Sequence, residues 1–273
     1  MVNKKYPLLI LVVIIVSYFS INFVLSKNNN LFGIKDLLST EHKQIIKKYF
    51  FPHKYSENKN FYELELKFKE SLKNIDLKKL EDVKLSNNLI MNKYKIINGF
   101  YSGINNTEPM RPGGYVDFHG DNLLILSARG ILAYNESLDK QIYFKQIDNN
   151  INDFIGLKQF QKNFAFSLRD LFIHNDKVYI SFTEEIKDDC WNTSIIHGKM
   201  SYENINFEKL FSSDECYTLD ISGTSQTGGR MVNYDNDNIL LTNGQWRDRG
   251  FPQKKDSING KLIKININNS DYE

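Results

Sequence analysis

The chain has 273 residues, with 35 Lys plus Arg against 33 Asp plus Glu, for a formal net charge of only +2. The two signs are interleaved throughout, which excludes the concentrated basic face that a nucleic-acid partner requires. Aromatics make up 13 % of the residues, so strand-forming side chains are plentiful, and the length allows one large or two small domains with a real core.

The first distinct element is apolar. Lys4 and Lys5 precede a run from Tyr6 to Leu25 broken only by Ser17, Ser20 and Asn22. A helix of about 20 residues spans about 30 Å, the hydrocarbon thickness of a bilayer. The run ends Phe23-Val24-Leu25-Ser26-Lys27, without the small-x-small site of a cleaved signal peptide. Residues 1–27 are therefore expected to form an uncleaved signal anchor, with a cleaved peptide as the rival reading. Lys4 and Lys5 should stay cytoplasmic by the positive-inside rule. The expectation is a single-pass membrane protein whose bulk is periplasmic or extracellular.

Residues 28–94 read as a helical stalk. Ile45, Ile46 and Tyr49 mark one face of a helix from Thr40 to Phe50, stopped by Pro52. Phe61, Leu64, Phe68, Leu72 and Ile75 then recur at three- and four-residue spacing, the pattern of an amphipathic helix.

From residue 95 onward the texture is that of strands, and one pattern occurs three times. Val116–Leu126, Leu171–Ser181 and Val232–Thr242 align without gaps. Each has an apolar strand, a polar turn with Asp at the same place (Asp121, Asp176, Asp237) and a second apolar strand. Asn, Asp and Gly supply the positive φ of a tight hairpin. The equivalent residues Phe118, Ile173 and Tyr234 put the copies 55 and 61 residues apart. A further strand opening with Gly is expected after each, at Gly130, Gly198 and Gly260. A repeating hairpin plus later strand at this period predicts propeller blades more than a β-sandwich. The expected fold is therefore all-β, about three propeller blades over residues 95–273, preceded by the transmembrane helix and the stalk. A closed ring needs at least about four blades. An incomplete chain is thus expected, with completion by a partner chain or an unusual stack of sheets as the alternatives.

Cys190 and Cys216 are the only cysteines. An oxidising compartment would let them pair, and neither has the CxxC or adjacent His of a zinc site. They are disulfide candidates, against two free thiols. His119 and His174 occupy equivalent turn positions and read as turn residues. Asp235–Asn238 reads as a hairpin turn, lacking the spacing of a calcium loop. No metal site is expected. Asn105, Asn135, Asn192 and Asn268 begin N-x-Ser/Thr sequences, a number that chance supplies in so Asn-rich a chain.

The third copy carries more. Gly228-Gly229-Arg230-Met231-Val232-Asn233-Tyr234, then Ile239–Asp248 with Thr242-Asn243-Gly244-Gln245, then Asp256–Asn266 with Gly260-Lys261-Leu262-Ile263, resembles the glucose/sorbosone dehydrogenase family. That resemblance implies a six-bladed propeller and sugar or alcohol oxidation with pyrroloquinoline quinone and calcium. It assigns Arg230 to a cofactor or sugar contact; the alternative is that Arg230 pairs with an acid of a neighbouring blade. Insertions after such hairpins carry binding groups in propellers. Trp246 and Arg247 are accordingly expected to stack on a sugar or quinone ring, against an ordinary structured loop.

The sequence departs from the family at one decisive place. Catalytic members have a histidine just before the GGR-type motif, as the base that takes the substrate hydroxyl proton. Here Thr224, Ser225, Gln226 and Thr227 precede Gly228, and none is a base near neutral pH. A non-catalytic propeller that binds a glycan or a partner protein is therefore the competing expectation.

Overall fold

The computed structural model describes residues 17, 49, 74–86, 89–96, 114–135, 143–156, 158–159, 166–218, 226–246 and 250–273. The chain divides into two compact units, Met1–Tyr49 and Phe50–Glu273, and the strands lie in the second. The expected transmembrane helix and the expected helices of residues 40–50 and 61–75 fall almost wholly outside the described residues. Among the described residues no helix is long and apolar enough to cross a membrane.

Among the described residues sixteen strands follow in order. They are β1 (Asn74–Lys79), β2 (Val83–Lys84), β3 (Ile90–Met91), β4 (Tyr94–Ile96), β5 (Gly114–His119), β6 (Asn122–Ser127), β7 (Leu132–Asn135) and β8 (Tyr143–Asn149). The rest are β9 (Leu168–His174), β10 (Lys177–Lys187), β11 (Cys190–Lys199), β12 (Asn204–Ile205), β13 (Glu208–Ser212), β14 (Gly228–Asn233), β15 (Asn238–Asn243) and β16 (Lys261–Asn266). The largest sheet runs β4-β1-β8-β7-β6-β5, the second β13-β11-β10-β9 and the third β14-β15-β16, with β2 and β3 paired apart.

The three sequence copies thus become the first hairpin of three separate sheets, and the fold is all-β and propeller-like. The described residues do not close a ring. Blade 1 is β5–β8, blade 2 is β9, β10, β11 and β13, and blade 3 is β14–β16. Blade 3 also begins a fourth strand: Tyr272 bridges Ile265, and Lys264 and Glu273 exchange both backbone hydrogen bonds. Its turn is ordered by side chains, the Asn268 and Asn269 amides both donating to Asn266 Oδ1.

The strand period of two sorts side chains between the gaps on either side of blade 2. Val178, Ile180 and Phe182 of β10 and Ile196 of β11 join Leu124, Leu126, Leu132 and Ile147 of blade 1 in one core. Tyr179 and Ile195, their neighbours in sequence, join Met231, Ile239, Leu241, Ile263 and Ile265 of blade 3 in another. The inner strands also meet by polar contacts. The Ile173 amide donates to Asp117 Oδ2 at 2.6 Å, linking blades 1 and 2. The Met231 amide donates to Asp170 Oδ2 at 2.7 Å, linking blades 2 and 3.

Two expectations are corrected. Residues 74–96 do not continue a helical stalk. Ile75, placed on a helix face by its spacing, pairs instead with Phe144 as β1 docks antiparallel on β8, and Leu77 pairs with Ile96 of β4. Sheet-edge backbone donors and acceptors outweigh a period carried by a few side chains. The first sheet therefore draws on chain before residue 95.

The second correction concerns Gly198. It ends β11 rather than opening a strand, because β10 and β11 form one long hairpin with Lys177 opposite Lys199. A Cβ at Gly198 would lie 2.7 Å from Ile205 Cγ2 and 2.9 Å from the Asn206 carbonyl oxygen. The glycine is required there by close approach of the chain.

His197 of β11 lies on the same face of blade 2 as Tyr179. Its ring stacks on Tyr179 at 5.9 Å, Nε2 meets Glu208 Oε1 at 3.2 Å, and Nδ1 is buried without a partner. Burial, followed by the Lys177 charge, pushes its pKa down, with Glu208 opposing. The folded chain therefore binds this proton more weakly than the unfolded chain does. The residue is neutral in both states at high pH, and stability falls as pH drops through its ordinary value of about 6.5. Thermal midpoints measured from about pH 8 to pH 5 should fall more steeply for the native chain than for His197→Gln; equal slopes would rule His197 out.

Candidate functional site

The inner strands β5, β9 and β14 begin at the same end of their blades, and the chemistry gathers there. Tyr115 is the second residue of β5, Arg169 and Asp170 the second and third of β9, and Arg230 the third of β14. Arg230 Nη1 donates to Asp170 Oδ1 at 2.6 Å, and its guanidinium carbon lies 5.0 Å from the Tyr115 ring centroid. Tyr115 in turn donates its hydroxyl to the Leu168 carbonyl at 3.0 Å. One guanidinium from blade 3 thus touches an acid of blade 2 and a ring of blade 1.

The pair is asymmetric. The Asp170 side chain is only 5 % exposed while that of Arg230 is 67 % exposed. Asp170 is held by the Met231 amide and Arg230, yet burial still pushes its carboxyl above the usual carboxylate range. Burial likewise raises the Tyr115 phenol, against the nearby charges of Arg169 and Arg230. It also lowers the Arg169 guanidinium, which donates from Nε to Thr183 Oγ1 at 3.1 Å. A buried carboxylate is tolerated because its lone pairs are occupied. The Arg230 side chain is largely exposed, and among the described residues its outer edge meets no acceptor and can donate to hydroxyls or an anion from solvent.

Gly229 makes this arrangement fit. Its φ is +110°, and a Cβ there would sit 2.4 Å from Arg169 Cβ. Its carbonyl accepts the Ser181 hydroxyl at 2.5 Å. Only a residue without a side chain lets β14 approach Arg169 this closely. The Arg230 amide is anchored by Thr242 Oγ1 of β15 at 2.9 Å.

The insertion that follows β15 leaves from the same end, Asn243 lying opposite Gly228. Trp246 does not reach the site as expected. Its side chain is fully buried, stacked on Tyr217 at 5.4 Å with an interplanar angle of 14°. A ring that large finds more apolar contact inside the fold than at a rim. Arg247 lies outside the described residues, as do Thr224 and Ser225. Gln226 and Thr227 are in place before Gly228, Thr227 buried and Gln226 exposed. Among the described residues no three His, Cys, Asp or Glu side chains converge as metal ligands, and the inward edge of Arg230 is committed to Asp170. The described residues alone therefore do not supply a quinone–calcium site.

Cys190 and Cys216 are joined in a disulfide, with Cα atoms 5.0 Å apart. His119 ends β5 and bridges blades, Nδ1 to the Tyr202 hydroxyl at 2.8 Å and Nε2 to Asp176 at 3.0 Å. It holds a turn, at the end of the blade away from Arg230. Asp235 likewise orders its own turn, accepting from the Asp237 amide and the Asn238 side chain. Asn135 and Asn192 are buried, so the folded protein offers neither for modification.

Sequence reading did not single out Tyr115, Arg169 or Asp170. The available signal was an Arg-Asp pair inside an otherwise apolar strand, Phe166-Ser167-Leu168-Arg169-Asp170-Leu171-Phe172. Charges in such a setting are kept only with partners.

The fold and this end of it define an all-β, propeller-like protein. Residues 165–271 match the family model described as Glucose / Sorbosone dehydrogenase, and the chain is glucose/sorbosone dehydrogenase-like over that stretch. No curated protein matches the chain. Among solved structures, a glucose dehydrogenase is similar at 16 % identity with a TM-score of 0.46, covering 70 % of this chain and 47 % of that one. The soluble aldose sugar dehydrogenase from Escherichia coli, in its apo-form, is similar at 18 % identity with a TM-score of 0.44, covering 56 % of this chain and 43 % of that one. The chain spans about half the length of these structures.

Removing Arg230 leaves the Asp170 charge buried with one partner fewer. Arg230→Met should lower stability by about 1–3 kcal/mol and raise the Asp170 pKa further; Arg230→Met with Asp170→Asn should recover part of that loss. Urea unfolding of the two single variants and the double variant measures the coupling, and additive losses would show that the contact contributes nothing. Gly229→Ala should cost about 1–3 kcal/mol, read as a lower urea midpoint with an unchanged m-value.

Proposed function

We propose that this is a membrane-anchored chain of a sugar-dehydrogenase-type propeller whose ligand enters at the Arg230 end of the inner strands. The observation that carries this reading is the family match over residues 165–271, which spans blades 2 and 3 and includes Gly228-Gly229-Arg230. The half-free guanidinium of Arg230 over Tyr115 supports it, since it offers directional donors beside an aromatic face, a combination suited to a polyhydroxy ring. In this reading residues 1–27 hold the protein to a membrane and residues 95–273 work on the periplasmic or extracellular side. The apolar run from Tyr6 to Leu25 behind Lys4 and Lys5 motivates that placement.

Oxidation through pyrroloquinoline quinone with calcium is part of the proposal only for the whole protein. No step through that cofactor follows from the residues described. Gln226 and Thr227 stand where a catalytic histidine is expected, and that favours a second reading: a propeller that binds a sugar or glycan, or a partner protein, without oxidising it. In either reading Arg230 and Tyr115 orient the ligand, while Asp170 fixes Arg230.

Calorimetric titration of the full chain with aldoses, and separately with pyrroloquinoline quinone and calcium, tests the proposal. Aldose binding that weakens by about tenfold in Arg230→Met, equivalent to about 1.4 kcal/mol, is the expected result. Dye reduction dependent on quinone and sugar would select the dehydrogenase reading. Sugar binding without dye reduction would select the non-catalytic one, and no sugar binding at all would overturn both sugar readings.

A further inference from the structure

Three consecutive side chains after β13 tie the insertion of blade 3 to blade 2. Glu215 accepts from the Ser257 hydroxyl at 2.8 Å, from the Asn259 side-chain amide at 2.5 Å and from the Ile258 backbone amide at 3.2 Å. Its carboxylate therefore gathers three consecutive residues of the insertion. Cys216 is bonded to Cys190 at the start of β11. Tyr217 stacks on Trp246 and meets Phe251 edge-on at 5.2 Å. The Asn192 side-chain amide closes the group, donating to the Glu215 carbonyl at 2.8 Å.

Among its described residues the loop that bears these contacts has little backbone pairing, and Tyr217 is its anchor in the core that also holds Trp191 and Trp246. Its regular backbone pairing to blade 2 is one bridge, in which Trp191 and Tyr217 exchange hydrogen bonds of 2.9 Å. The disulfide is its covalent tie to β11. The cores on either side of blade 2 are built mainly from strand side chains, with Tyr217 and Trp246 joining one of them, so most of each core is independent of the loop. Cys190 is buried but Cys216 is half-buried, so a reductant reaches the bond from the loop side.

We propose that the Cys190–Cys216 disulfide is a redox-sensitive latch: its reduction releases residues 213–217, and with them the insertion at residues 250–260, while the blades stay folded. A dithiol reductant supplies two electrons and two protons. The S–S bond breaks, both cysteines become thiols, and the dithiol closes into its own disulfide. Without the crosslink, Glu215 and Tyr217 become ends of a flexible loop, and ordering them for the insertion carries an entropic penalty that the bond had removed. The insertion leaves blade 3 beside the strand end that holds Arg230, so the latch controls the border of the candidate site. The inference goes beyond the sugar-binding reading and does not depend on it.

Lys254 and Lys255 are exposed within the insertion and make it readable by trypsin. The full chain is digested before and after dithiothreitol, with cleavage after these two lysines followed by mass spectrometry. Hydrogen exchange in β10 and β15 is followed in parallel. Cleavage should quicken by about tenfold on reduction, with exchange in β10 and β15 unchanged and the slow rate restored on reoxidation. Glu215→Gln, which keeps the disulfide, should quicken cleavage without any reductant. The latch is overturned by an unchanged rate on reduction, by loss of protection throughout β10 and β15 together, or by a Glu215→Gln chain that cleaves as slowly as the native one. No ligand enters this experiment, so its failure leaves the reading of the Arg230 site untouched.

Discussion

Blade 2 can exist only between two other sheets, and the rest of the structure follows from that constraint. Along β10 the side chains alternate between the two gaps: Val178, Ile180 and Phe182 enter the core shared with blade 1, while Tyr179 enters the core shared with blade 3 and Ser181 bonds to the Gly229 carbonyl there. A strand covered on both faces needs a sheet on either side, and Val178 through Glu184 is buried without interruption. Leaving either face in water would expose several large side chains, each worth about 1.5–3 kcal/mol on burial. The neighbouring blades are therefore held by area rather than by crosslinks. The polar contacts between inner strands, Asp117 to the Ile173 amide and Asp170 to the Met231 amide, add direction to an attraction that has none of its own. They set the height at which one blade slides against the next.

Against that apolar background the polar exceptions stand at one end. Asp170 is a buried carboxylate beside Arg169, whose charge burial also disfavours, and it persists because Arg230 and the Met231 amide occupy it. The arrangement serves the fold and leaves a usable surface. The inward edge of the guanidinium is spent on the acid, while the outward edge and the Tyr115 ring face the space around the inner strands. Gly229 is the steric condition for both, since any side chain would collide with Arg169.

The same end collects two connections whose described residues are held mainly by side chains. The loop after β13 and the insertion after β15 are secured through side chains, by Glu215 and Tyr217, and by the disulfide. A scaffold of strands and an edge of loops is how propeller-like folds separate stability from binding. Here the division is visible residue by residue. The large apolar side chains lie between blades, and the hydrogen-bonded carboxylates lie where chains cross from one blade to the next.

The blades were legible in the sequence because a hairpin repeats its chemistry locally. Turn residues such as Asn175 and Asp176 adopt positive φ through their own short side chains, and alternation needs no information from afar. The disulfide candidates and the resemblance around Gly228-Gly229-Arg230 were legible for the same reason. Ile75, Gly198 and Trp246 were misread because their states depend on partners distant in sequence. Ile75 meets an open edge of β8, Gly198 meets the returning chain at Ile205, and Trp246 meets Tyr217. Asp170 was found as a type, an acid of a neighbouring blade, but not as a residue. What the amino-acid order alone determined was the repeating strand–turn–strand unit and its apolar faces, set by φ preferences and the two-residue strand period. What only the tertiary structure decided was which charges meet and which rings are covered. Those outcomes turn on distances of a few ångströms between segments tens of residues apart, and local preference carries no record of them.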